Sequence, residues 1–124
     1  MIANKVFVGY DTREDIAYQV CEHSIWQHNK DIGVVPLKQQ ELRDNKLYWR
    51  GEDKLASTEF TFTRFLIPHL MNYEGWALFC DSDIVFLEDV DNLFALRDDK
   101  YAVMCVQHDY TPKPGTKMDG QVQT

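Results

Sequence analysis

The opening of the chain limits its fold more than any other stretch. Lys5-Val6-Phe7-Val8-Gly9-Tyr10 is a short apolar run, rich in β-branched and aromatic residues, and reads as a buried strand. Asp11-Thr12 follows at once. Thr12 with Asp15 three residues on has the form of a capping box, predicting a helix from about Arg13 to about Asn29. Ile16, Ala17, Val20 and Ile25 give that helix an apolar stripe. Asp31-Ile32-Gly33 is a stop and turn, and Gly33 to Leu37 gives a second strand, which Pro36 places near a sheet edge. Strand, helix, strand is the βαβ unit. It predicts a parallel pair joined by a right-handed crossover, with ligands bound beyond the carboxyl ends of the strands, where Tyr10 and Asp11 stand. The expected class is therefore α/β: a Rossmann-like, mainly parallel central sheet with flanking helices.

The rest of the chain extends this plan. Lys38 to Lys54 is polar and reads as a long loop with one helical turn. Ser57 to Met71 returns to helical spacing, capped by Ser57 or Thr58, with Phe62, Phe65, Leu66 and Leu70 facing inward and Pro68 kinking or ending it. Trp76 to Cys80 is a third strand, apolar on both faces and so expected at the centre of the sheet, and Ile84 to Leu87 continues extended. Val90 to Leu96 reads as a short helix and Tyr101 to Val106 as a fourth strand. Residues 1–110 thus form the expected domain. Residues 111–124, polar and without periodicity, are a tail or the start of a further part.

Composition enters as a filter. In 124 residues the hydrophobic fraction is 44%, which excludes a disordered chain, and the net charge of -7 offers no basic surface for nucleic acid. An acidic protein that binds an anionic nucleotide needs a local remedy, of which a divalent cation is the simplest. Cys21, Cys80 and Cys105 are scattered and form no CxxC pair, so reduced, buried thiols are expected. With no signal-type leader and no apolar run of membrane length, the expected protein is soluble and cytoplasmic.

Asp81-Ser82-Asp83 is the chemically loud motif. Two carboxylates at i and i+2 on an extended chain point to one side, at the exit of a buried strand. They repel unless a cation lies between them, and oxygen ligands suit Mg²⁺ or Mn²⁺. With 13 aspartates in the chain, chance supplies about one D-x-D, and a helix-capping or turn role is the plain alternative. A second one, Asp89-Val90-Asp91, lies in polar surroundings and reads as a solvated face or helix cap. Of the other candidates, His108-Asp109 could stand near an acceptor. His23 and His28 read as solvent-facing, His69 as a helix-end residue, and Trp26 and Trp49 as packing rather than a sugar platform.

Three segments together resemble the GT-A glycosyltransferases, specifically those similar to glycosyltransferase family 8. They are Val6 to Asp11, Ser57 to Pro68 with its arginine and aliphatic-Pro ending, and Trp76 to Val85 with the D-x-D. The resemblance covers roughly residues 5–110. It implies that Asp81 and Asp83 hold Mn²⁺ or Mg²⁺ against the diphosphate of a nucleotide-sugar, with Asp83 the more direct ligand. It implies that Arg64 reaches the sugar or phosphate side of the donor, that Tyr10 and Asp11 line the nucleoside pocket, and that Ser82 touches the ribose. Asp83 and Arg64 would be the catalytic residues. The implied reaction is transfer of a hexose, from a UDP-sugar by preference, to a saccharide or other hydroxyl acceptor with retention. The family's third metal ligand, commonly a C-terminal histidine, has no counterpart here, and Lys117 to Thr124 looks like the approach to more domain. A non-catalytic nucleotide-binding or structural remnant of the same fold is therefore the competing reading, and an uncovered sheet edge would favour homo-oligomers. A phosphohydrolase with a D-x-D nucleophile fits poorly, because that pair follows a first strand and precedes a small hydroxyl residue, where this chain has Ile84-Val85.

Overall fold

The computed structural model describes residues 4–51 and 56–107, with the backbone of two further short strands. Its organising element is β1 (Lys5–Gly9), whose alternation feeds two cores at once. Val6 and Val8 are sealed on one face with Tyr18, Cys21 and Ile25 of α1 (Asp15–His28), and with Ile32, Val90 and Phe94. Phe7 points to the other face and packs with Leu37 and Met71. Each fully buried aliphatic side chain contributes about 1.5–3 kcal/mol, so β1 anchors both layers.

The βαβ expectation holds. β2 (Gly33–Leu37) pairs in parallel with β1, Lys5 opposite Gly33 and Gly9 opposite Leu37. β3 (Ala77–Cys80) pairs in parallel on the other side, Lys5 opposite Ala77 and Val8 opposite Cys80. The order is β2-β1-β3. Pro36 lies on an edge strand, as its missing N–H requires. β3 is not central as its composition suggested. It is the other edge of this sheet, and its four residues are only half buried.

Several local expectations are corrected. The capping box does not form. Asp11 caps a 3-10 turn at Thr12–Glu14 by accepting the Arg13 amide, while Thr12 turns to Glu59 and Asp15 to Tyr10 and Gln19. The buried stripe of α1 is Tyr18, Cys21, Ser24 and Ile25, and Ile16 is 72% exposed. Both stripes have helical spacing, and packing against Val6 and Val8 chose the one with the aromatic ring. The loop after β2 holds α2 (Gln39–Asp44), with Leu42 buried. Ser57 to Met71 is not one helix. A turn leads into a 3-10 segment at Thr63–Leu66 and then α3 (Ile67–Leu70), where Pro68 sits in the first turn, since its missing N–H is harmless there. Phe65 faces solvent; Phe60 and Thr63 are the buried residues.

After β3, Ile84 to Leu87 forms no strand, α4 is Asp91–Phe94, and Tyr101 to Val106 is exposed and unpaired. Cys105 is likewise exposed rather than buried. β4 (Gly115–Thr116) and β5 (Val122–Gln123) form a small antiparallel pair. His108 and Asp109 lie outside the described residues, as does most of the stretch after residue 110. No described helix is long and apolar enough to cross a membrane.

Candidate functional site at the carboxyl ends of the strands

Parallel pairing brings three strand exits to one edge of the sheet. Because Gly9 stands opposite Leu37 and Val8 opposite Cys80, the residues that follow, Tyr10, Lys38 and Asp81, emerge side by side. The Lys38 ammonium lies 5.1 Å from the centre of the Tyr10 ring. The Tyr10 hydroxyl donates to Asp15 (2.5 Å), and that bond, with desolvation, pushes the phenol up to about 12.

Asp11 is 1% exposed and fully engaged. Its Oδ1 accepts from Arg13 N and Nε, both at 2.9 Å, and its Oδ2 accepts from Arg13 Nη2 at 2.6 Å and Glu59 N at 3.1 Å. The Arg13 side chain, then the backbone donors of Arg13 and Glu59, outweigh burial and hold the carboxyl down at about 2. Glu59 in turn accepts from the Thr12 amide and hydroxyl, and Arg13 reaches the Ser57 carbonyl at 3.0 Å. This lattice ties the exit of β1 to the 57–59 segment. Of the residues assigned to the nucleoside side, Tyr10 reaches partly to solvent, whereas Asp11 braces the loop.

The same segment delivers Arg64. Phe60 packs on the end of β1, where a Cβ on Gly9 would lie 2.5 Å from its ring. Glycine is required there by close approach, the meaning an isolated glycine in an apolar strand carries. Arg64 Nε donates to the Phe60 carbonyl at 3.2 Å, and its guanidinium stands 5.4 Å from the Phe60 ring and 4.9 Å from the Phe79 ring. Phe79 is two residues before Asp81, so the arginine is carried to the mouth of β3. Gly9, Glu59, Phe60, Arg13 and Lys38 were not singled out from sequence; of these only Gly9 gave a local signal.

At that mouth, Asp81 and Asp83 are exposed and Ser82, between them, is 2% exposed. Ser82 and Asp83 lie in a turn rather than on the extended chain expected of the motif, and this turn leaves both aspartates exposed and the serine buried, away from an open ribose contact. Desolvation raises the Asp81 carboxyl; the Arg64 charge pulls it down, and Asp83 pushes it up again. Burial, more than the neighbouring carboxylate, disfavours the charged form of Asp81. Two outward carboxylates suit a hard divalent ion that keeps its other positions for water and phosphate oxygens. Among the described residues no group of three or more His, Cys, Asp or Glu is placed to ligate a metal. A cleft of ≈ 230 Å³ lined by Lys5, Phe7, Pro36, Leu42 and Leu70 runs along β2 and does not include the aspartates. The charges at the strand ends, not this cleft, mark the candidate site.

No family model matches the chain, and no solved structure matches it. Over 121 residues, 97% of its length, it is 58% identical to Protein CDI of Arabidopsis thaliana. Those residues make up 47% of that protein, so the chain spans about half the length of the curated relative it matches.

Proposed function

We propose that this chain is the donor-binding portion of a metal-dependent glycosyltransferase of GT-A fold, similar to family 8, which takes a hexose from a nucleotide-diphosphate sugar. One observation carries the reading. Asp81 and Asp83 are exposed just past the exit of a parallel strand, on the same sheet edge as Tyr10, with the Arg64 charge acting on Asp81. Asp81 and Asp83 would hold Mn²⁺ or Mg²⁺, which supplies charge neutralisation for a departing diphosphate. Arg64, permanently charged and fixed by Phe60 and Phe79, orients the phosphate or sugar side. Tyr10 borders the nucleoside. Transfer to a saccharide or other hydroxyl acceptor, with retention, follows from the resemblance and belongs to the whole protein.

A second reading, a nucleotide-binding or structural remnant without catalysis, is favoured by the absence of a third ligand among the described residues. Titration calorimetry with UDP, GDP and their sugars, with Mn²⁺ or EDTA, separates the two when paired with a donor-hydrolysis assay. Binding that needs Mn²⁺ and disappears in Asp83→Ala supports the donor site, and turnover then decides for the enzyme. No binding of any nucleotide under any condition overturns the donor site and leaves a structural remnant of the fold.

A further inference from the structure

Nine of the fifteen large hydrophobic side chains exposed among the described residues lie between Ile84 and Val106. Leu87 is 82% exposed and Val103 79%, with Leu96 and Val106 little less open. Together the nine expose on the order of 800 Å² of apolar surface, which is above the largest patch of an ordinary soluble monomer and equal to one side of a standard interface. The strip borders β3 at both ends. Ile84 follows Cys80 by four residues. At the start of the strand the Trp76 indole donates to Asp99 at 2.8 Å, two residues before Tyr101. Among the described residues nothing pairs with the outer edge of β3, so that edge offers free backbone donors and acceptors. Tyr101 to Val106 is uncharged, free of Gly and Pro and rich in sheet-forming residues, yet unpaired. An apolar strip beside an open strand edge is a surface that accepts another polypeptide by strand addition.

We propose that this strip seats a polypeptide corresponding to the remaining half of Protein CDI, which adds a strand at the outer edge of β3 and packs apolar side chains onto residues 84–106. In that relative the counterpart of this chain takes up 47% of the length, so about as much polypeptide again is there to cover the same surface. Size argues the same way. A protein of twice this length buries a larger share of its apolar surface, and an uncovered strip is what half of such a protein shows. Charge argues against the other occupants. Two copies of a chain with a net charge of -7 repel each other, and an anionic lipid surface repels one copy. The surface fits this polypeptide whether the two are continuous or separate chains, and the fit does not depend on what the donor site binds.

The test compares this chain alone with a chimera in which it replaces the matched residues of full-length Protein CDI. Amide hydrogen exchange over Tyr101–Val106 should be at least ~10-fold slower in the chimera. Leu87→Lys and Val103→Lys, both at exposed positions, should leave the melting of the chain alone unchanged and lower that of the chimera by at least ~4 °C. Ile16→Lys, exposed on α1 away from the strip, should shift neither. Exchange over Tyr101–Val106 as fast in the chimera as in the chain alone overturns the proposal. Lysine variants that act equally in both contexts overturn it too. So does a chain that light scattering shows to be a dimer with this strip protected, because a second copy is then the occupant. Where the chimera does not melt cooperatively, exchange of the unaltered relative at the residues aligned with Tyr101–Val106 decides: protection supports the proposal and fast exchange overturns it.

Discussion

The molecule carries the same acidic motif twice, eight residues apart, and gives it opposite surroundings. At Asp89-Val90-Asp91 the charges are answered from within. Asp89 Oδ1 accepts the Asp91 amide at 2.9 Å and Asn29 Nδ2 at 3.0 Å, Asn29 also reaches Asp91, and these bonds lower the Asp89 carboxyl. The result is a turn that starts α4 and pins the end of α1. At Asp81-Ser82-Asp83 desolvation and the neighbouring charge raise the Asp81 carboxyl, with only Arg64 opposing them. A carboxylate already satisfied by amides has little to gain from a cation, and a destabilised one gains a good deal. The pattern D-x-D does not distinguish these cases; the bonds around it do.

The sharpest way to break this contrast is to neutralise one member of each motif. Asp83→Asn should weaken Mn²⁺-dependent UDP binding by about 100-fold or more, as loss of a directly liganding charge does, while Asp91→Asn shifts it less than about twofold. Calorimetry reads both, and equal effects would erase the distinction. A second comparison uses Asp11, the most fully answered carboxylate. Asp11→Asn should cost about 1–3 kcal/mol in urea unfolding, discounted because its partner Arg13 is exposed on one side. Because the folded pKa of Asp11 is depressed to about 2, its contribution is full above the ordinary carboxylate range and is lost as pH falls from about 4 toward 2. A wild-type stability profile that is flat across that window would contradict the bonding described.

Smaller effects sharpen the contrast in sign. Asp89→Ala removes the turn bonds and should lower the melting temperature slightly, with UDP binding untouched. Asp81→Asn should do the reverse without cation, raising stability at neutral pH by a few tenths of a kcal/mol, since the site is open to solvent. The sign follows from the raised carboxyl: its protonated form is favoured in the fold, so stability is full at low pH and declines as pH rises through the folded pKa. Thermal melting of both variants in EDTA measures the pair.

The βαβ plan was legible because its signal is local. Val6, Phe7 and Val8 are apolar in unbroken succession, and Pro36 marks an edge by chemistry it carries anywhere. The candidate site was legible as far as Asp81 and Asp83, whose position after a strand is also local. Other features were not. Ile16 and Val20 match helical spacing as well as Tyr18 and Cys21 do, and only the shape of the sheet surface chose between them. Tyr101 to Val106 has strand composition without a strand, because a strand needs a partner's hydrogen bonds as well as propensity.

The sequence by itself determined a small α/β unit with a parallel pair at its start and an acidic pair at a strand exit. Tertiary structure alone decided that Asp11 is a brace, that Ser82 turns under its loop, that Arg64 is carried by Phe60 to the mouth of β3, and that Ser24 of α1 accepts the Phe86 amide from the segment after β3. The reason is range. Strand and helix periodicity is written in neighbours a few residues apart, whereas the charge state and availability of a side chain depend on groups far along the chain, as Glu59, 48 residues on, is for Asp11.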